Sequence, residues 1–143
     1  MHTIEDIIKK VDDNNKNEGL KINTKPLIKA WEFASVVHQN QKRLSGEEYI
    51  IHPVETAYTL AKMDMDISTV IAGLLHDVPE ETEFSISDIK DEFGAEIAQL
   101  VDGVTKIGKI KYRGVKRYAE NLRKMFVAMS KDIRVIIIRF ADR

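Results

Sequence analysis

The chain has 143 residues, 43% hydrophobic and 31% charged, the proportions of one globular domain. Its 22 Lys and Arg against 23 Asp and Glu give a formal net charge of −1, which argues against a generic nucleic-acid binder. Cysteine is absent, so disulfides, thiolate metal sites and cysteine nucleophiles are excluded. No apolar run reaches the ~18 residues of a membrane helix. Met1 to Lys10 contains acids and no small-residue cleavage site, so it is not a signal peptide. A cytoplasmic location without membrane contact is the expectation.

Helical spacing dominates. Ile4, Ile7, Ile8 and Val11 share one helix face, and the polar run Asp12–Asn17 with Gly19 closes that helix. Thr24 is placed to cap a second helix, with Pro26 near its first turn. Leu27, Ala30, Trp31, Ala34 and Val37 mark its buried side, and it ends near Asn40. Residues 1–24 thus read as an N-terminal helix and linker. A polar turn passes through Ser45 and Gly46. Pro53 suits the start of a third helix, Val54 to Lys62. Asp66 or Ser68 caps a fourth, which buries Val70, Ile71, Leu74 and Leu75. Pro79 is expected to stop that helix and to leave Glu80 and Glu81 on a turn.

Ser85 or Ser87 caps a fifth helix ending at Gly94, and a sixth runs from Ala95 to Val104. A basic, glycine-containing loop is predicted over 106–116. Tyr118 to Met129 reads as a seventh helix, and Asp132 can cap an eighth. The run Val135–Ile138 is β-branched and would also suit a buried strand. No other segment offers a partner strand, and Ile133, Ile136, Ile137 and Phe140 fit helical spacing. The expectation is an all-α bundle of about eight helices. Apolar residues run up to Arg143, which predicts a single domain over 1–143 truncated at its C-terminal end.

The chemistry concentrates in Leu74-Leu75-His76-Asp77-Val78-Pro79-Glu80-Glu81-Thr82-Glu83. Four carboxylates within seven residues follow an apolar helix. Acids at a helix C-terminus are each unfavourable by about 0.3–1 kcal/mol. A bound cation would reverse that cost, and His beside Asp suits Zn, Mn or Fe. A solvated acidic turn fits this segment equally well. His52 lies in Tyr49-Ile50-Ile51-His52-Pro53, where an imidazole needs a partner. A lone His there is more often a satisfied core histidine. Asp142 follows another apolar stripe, and a simple ion pair with Arg139 or Arg143 would also account for it.

Taken together, His52, the pair His76-Asp77 and Asp142 resemble the H…HD…D pattern of the HD superfamily of metal-dependent phosphohydrolases. More narrowly, the chain resembles the N-terminal hydrolase domain of the RelA/SpoT homologues, which make and degrade the alarmone (p)ppGpp. The segments that carry this are His38–Glu47, Tyr49–Pro53, His76–Thr82, Val101-Asp102-Gly103-Val104-Thr105-Lys106 and Arg139-Phe140-Ala141-Asp142-Arg143. The similarity runs from about residue 25 to the end.

The resemblance implies that His52, His76, Asp77 and Asp142 hold one divalent metal, Mn²⁺, with positions left for water and phosphate. It implies that Glu80 and Glu81 orient and deprotonate the attacking water. The family usually has Glu then Asp, so Glu81 carries an extra methylene, about 1.5 Å of displacement. Arg43 matches a guanine-stacking arginine and Ser45 a residue contacting base or sugar. Leu44 replaces a usual basic residue, and Glu48 a frequent Pro. Lys42, Lys106 and Lys109 would line the rim for a polyphosphate. The implied reaction is Mn-dependent hydrolysis of the 3′-pyrophosphate of (p)ppGpp to GDP or GTP and pyrophosphate. A silent HD domain regulating an attached synthetase is the second reading, and an HD phosphohydrolase for another nucleotide the third. The implied partners are the guanosine polyphosphate and a C-terminal synthetase domain, without direct nucleic-acid binding. The family's further helical stretch also contributes to the nucleotide pocket, so residues 1–143 alone are expected to be weakly active or inactive.

Overall fold

The computed structural model describes residues 1–17, 19, 21–108, 120, 123 and 132–142. The described helices are α1 (Ile4–Asn17), α2 (Lys25–Val37), α3 (Ile51–Lys62), α4 (Ile67–Leu75), α5 (Val78–Glu81), α6 (Ile86–Phe93), α7 (Ala95–Gly108) and α8 (Arg134–Ala141). The only strand-like feature among the described residues is an isolated bridge between Lys42 and Glu48. The chain is therefore all-α. Apart from Glu120 and Arg123, which are helical, the helix expected over 118–129 lies outside the described residues, as does the loop beyond residue 108.

The apolar stretch Ile67–Leu75 has no polar face, and the fold buries it from all sides. Residues Thr69 to Leu75 are all buried, and α4 packs against α2, α3, α7 and α8. Asp66 caps it, accepting from Thr69 N at 3.3 Å and from the Thr69 hydroxyl at 2.6 Å. Gly73 permits the close approach of α3. A Cβ there would lie 2.5 Å from Leu60 Cδ1 and 3.5 Å from Ala57 Cα. Around this axis α1 buries Ile4, Ile7 and Val11, and α2 buries Leu27, Ala30 and Ala34.

Several boundaries differ from the sequence expectation, each for a local reason. Thr24 makes no side-chain cap to α2, and Asn23 Oδ1 instead accepts from Lys25 N at 3.1 Å. Helix α3 starts at Ile51, so His52 belongs to its first turn, where the missing N–H of Pro53 costs no helical bond. Pro79 does both of the things proline can do. It cannot donate to the carbonyl four residues back, which ends α4, yet its fixed φ lets it open the one-turn helix α5. Glu80 and Glu81 therefore sit in the first turn of a new helix rather than on a loop. Ser85 caps α6 with a reciprocal Ser85–Asp88 box, and Gly94 ends it with φ +95°. Helix α7 continues to Gly108, four residues past the expected end. Lys106 is thus helical, 2.8 Å from Asp102 Oδ2 one turn earlier.

The last helix is present but rotated from the face expected. Val135, Ile138 and Ala141 are the buried positions of α8, while Ile133 is 63% and Phe140 66% exposed. An all-apolar run does not reveal its own phase. Here the phase aligns Asp142 with Val135 and Ile138 at helical spacing, so the same stripe that packs the helix carries the acid inward. Asp132 Oδ1 accepts from Arg134 N at 2.9 Å. The Arg134 guanidinium also reaches Asp66 at 2.8 Å and Glu96 at 3.4 Å, joining the beginnings of α4, α7 and α8.

Gly103 sets the spacing of α7 and α8. A Cβ there would fall 2.7 Å and 3.1 Å from the two γ-methyls of Val135, a branched side chain with little freedom to move. Gly103→Ala gains about 1 kcal/mol of helix propensity and loses about 1–3 kcal/mol to overpacking. Net stability should change by at most about 2 kcal/mol. The displaced α8 should move Asp142, so the affinity of the Asp142 site for a divalent cation should fall by more than the urea midpoint suggests. Calorimetric titration beside urea unfolding checks this.

Candidate metal centre

Four side chains from three places in the chain meet where α3, α4 and α8 converge. His52 comes from the first turn of α3, His76 and Asp77 from the break between α4 and α5, and Asp142 from the end of α8. One ligand atom from each lies within 4.8 Å of every other. His52 Nε2 is 2.6 Å from Asp142 Oδ1 and 3.4 Å from Asp77 Oδ2. His76 Nε2 is 2.9 Å from Asp142 Oδ1 and 3.2 Å from Asp77 Oδ1.

The donor set fits a divalent cation. His76, whose side chain is 1% exposed, has Nδ1 at 2.6 Å from the Gly73 carbonyl. A carbonyl only accepts, so Nδ1 carries the proton, and the neutral ring presents a lone pair at Nε2. That lone pair faces two carboxylates. Either a second proton or a cation must occupy the space between them. Two imidazoles and two carboxylates suit Mn, Fe or Zn.

The electrostatics express the same competition. Burial opposes charging of His76, but its hydrogen bond to Asp142 and the charges of Asp77 and Asp142 push its pKa above the usual value. Burial likewise opposes ionisation of Asp142, yet hydrogen bonds from His52 and His76 hold its carboxyl well below the usual range. A metal takes only the neutral imidazole, so protons compete below the raised pKa of His76. Affinity should be full above that pKa, which lies above 6.5, and fall as pH drops through it. The expected slope is about tenfold per pH unit for each proton displaced. Mn²⁺ titrations across the neutral range check the direction, and a flat profile would count against it.

Two residues to which the sequence reading gave no role in the site hold the carboxylates. The Tyr49 hydroxyl donates to Asp77 Oδ2 at 2.9 Å, and Arg139 Nη1 donates to Asp142 Oδ2 at 2.9 Å. Arg139 therefore leaves Oδ1 of Asp142 for the imidazoles. Sequence reading had placed Arg139 only as an ion-pair partner. Nothing in the spacing of Tyr49 marks its hydroxyl as polar machinery, since an aromatic before an apolar run reads as core.

The other expected site residues fall at different distances. Glu80 and Glu81 are exposed on α5, directly after Asp77. The Glu81 charge is near enough to raise the Tyr49 pKa, after the larger effects of burial and Asp77. Lys42, Arg43 and Ser45 are exposed in the 38–50 loop. Arg43 N donates to Glu47 O at 2.9 Å and Gly46 N to Arg43 O at 2.8 Å, a turn that needs the φ of +87° at Gly46. Tyr49 closes this loop, and its hydroxyl ties the end of the loop to Asp77. Lys106 pairs within α7 rather than standing in a loop, and Lys109 lies outside the described residues.

Comparison with known proteins agrees with this geometry. Residues 30–143 match the HD domain family, to which the chain belongs. Among curated proteins, the chain is similar to a guanosine-3′,5′-bis(diphosphate) 3′-pyrophosphohydrolase of Aquifex aeolicus, 50% identical over 80% of this chain and 16% of the relative. A Vibrio cholerae protein of the same name is 47% identical over 92% of this chain and 19% of its own length. The bifunctional (p)ppGpp synthase/hydrolase SpoT of Escherichia coli is 49% identical over 83% of this chain and 17% of its own. The chain thus spans less than a fifth of these relatives. The resemblance read from the motifs, to the RelA/SpoT type of hydrolase, thus recurs as similarity to these relatives. A solved structure described as a metazoan ortholog of SpoT that hydrolyzes ppGpp shares the fold, with a TM-score of 0.67 at 24% identity over 86% of this chain and 68% of that one.

Proposed function

We propose that this chain is a metal-dependent phosphohydrolase domain that removes the 3′-pyrophosphate of (p)ppGpp. The carrying observation is the His52, His76, Asp77 and Asp142 cluster, with one ligand atom of each within 4.8 Å of every other. The names of the relatives support the substrate. A divalent cation held by these four side chains, Mn²⁺ in this reading, acidifies water and offsets phosphate charge.

The chain's own residues do the rest. Arg43 stacks on the guanine and Ser45 contacts base or sugar, while Lys42, Lys106 and Lys109 favour the polyphosphate. Glu80 takes the proton of the attacking water. Water's oxygen joins the nearer phosphorus of the 3′-pyrophosphate, the bond to the 3′-oxygen breaks, and that oxygen takes a proton. The products are GDP or GTP and pyrophosphate. Glu81, the next residue of α5, serves orientation.

The longer relatives support a second domain in the same polypeptide, a (p)ppGpp synthetase, with 1–143 as the HD unit at its N-terminal side. No described helix is long and apolar enough to cross a membrane. The test compares Mn²⁺-dependent turnover of ppGpp with that of dGTP. The proposal expects a preference for ppGpp of at least about a hundredfold, the loss expected from roughly 1 Å of mispositioning. Equal turnover would favour a hydrolase for another nucleotide. Mn²⁺ binding without turnover of either would favour the regulatory reading.

A further inference from the structure

The 38–50 loop is tied to the metal centre by a continuous set of contacts that the proposed chemistry does not use. His38 at the end of α2 is 2% exposed. Its Nδ1 is 3.0 Å from Gln41 Oε1, while its Nε2 is buried without a hydrogen-bond partner. Gln41 Oε1 only accepts, so the proton is on Nδ1. The Gln41 amide then donates through Nε2 to the Glu81 carbonyl at 2.9 Å. Tyr49 N donates to the Gln41 carbonyl at 3.0 Å, closing the loop on itself. The Tyr49 ring lies on the His38 imidazole, 4.7 Å between centroids at an angle of 25°. At its far end the Tyr49 hydroxyl holds Asp77 Oδ2.

Each contact removes a freedom from Tyr49. The His38 ring fixes its plane, and Gln41 fixes its backbone. Gln41 also ties that backbone to the end of α5, which carries Glu80 and Glu81. A buried imidazole nitrogen without a partner is unfavourable, so stability alone gives little reason for a histidine here. A flat ring that also bonds Gln41 does suit a clamp.

We propose that Tyr49 is a positioning residue: its hydroxyl aims Asp77 at the metal, and His38 and Gln41 make that aim depend on the seating of the Arg43–Ser45 loop. The proposal rests on the functional reading above, since it presupposes a metal on Asp77. It assigns to one hydroxyl the coupling of substrate loop and metal ligand.

The test is calorimetric titration of Mn²⁺ into the metal-free full chain, with urea unfolding of the same samples. Tyr49→Phe deletes only the hydroxyl. Loss of a hydrogen bond behind a metal ligand typically weakens affinity by about 10- to 100-fold, and that range is expected here, with the metal-free urea midpoint unchanged. Gln41→Leu keeps the hydroxyl but cuts the tie, and should weaken Mn²⁺ binding by about threefold or more, below the full effect of a lost partner. The double variant should be no weaker than Tyr49→Phe alone, because both act through the same bond. Tyr49→Phe binding within twofold of wild type would overturn the inference while leaving the functional reading intact. So would a loss of affinity matched by an equal loss of metal-free stability. A wild type that binds no Mn²⁺ would overturn the functional reading and the inference with it.

Discussion

Replacing Asp142 with alanine is expected to weaken Mn²⁺ binding roughly 30- to 150-fold. The size follows from the donor set. Four ligands at a structural zinc site together gain about 10–16 kcal/mol, so one is worth about 3 kcal/mol, and somewhat less for manganese. Asp142 is the group common to both imidazoles, at 2.6 Å from His52 and 2.9 Å from His76. Its loss also releases the proton that the carboxylate holds on His76, so the raised pKa of that imidazole should fall. The expected signature is therefore weaker binding with a smaller pH dependence. A variant that titrates like wild type would remove Asp142 from the site.

The second large effect concerns the acids of α5. Glu80→Gln should keep Mn²⁺ affinity within a few-fold and lower ppGpp turnover by about 10²–10⁴, the usual contribution of a general base. The amide keeps the shape and removes the proton acceptor. Glu81→Asp should preserve or raise the rate, since it shortens the side chain by the methylene that the family does not have. The two residues are consecutive at the end of one short helix, so they project about 100° apart, which suits different roles. Turnover and metal binding of both variants, measured side by side, decide the assignment. Wild-type turnover by Glu80→Gln would move the base elsewhere, and Glu81 is then the next candidate, since its charge already reaches Tyr49.

Much of this arrangement was legible in the residues. The apolar spacing of α1, α2 and α4 shows which faces are buried, and the pattern of His52, His76-Asp77 and Asp142 shows which side chains to look for together. What was illegible has physical causes. The stretch Val135–Ile138 is apolar on every face, so its buried side is set by Gly103 and Val135 across the α7–α8 contact, not by its own pattern. Proline can end one helix and open the next, and only the surrounding fold decides that Pro79 does both. One support of the site was hidden for another reason. Tyr49 acts through a single hydrogen bond to a carboxylate distant in sequence, and its residue type carries no spacing rule for that, whereas the Arg139–Asp142 pair follows the i,i+3 spacing of a helix.

The most direct measurement is phosphorus NMR of the products when the wild-type protein, in its complete polypeptide, is given ppGpp and Mn²⁺. The account predicts one pyrophosphate released for each GDP formed, and no release once the metal is chelated. Orthophosphate as the product, or intact ppGpp in a sample that has bound its Mn²⁺, would contradict it.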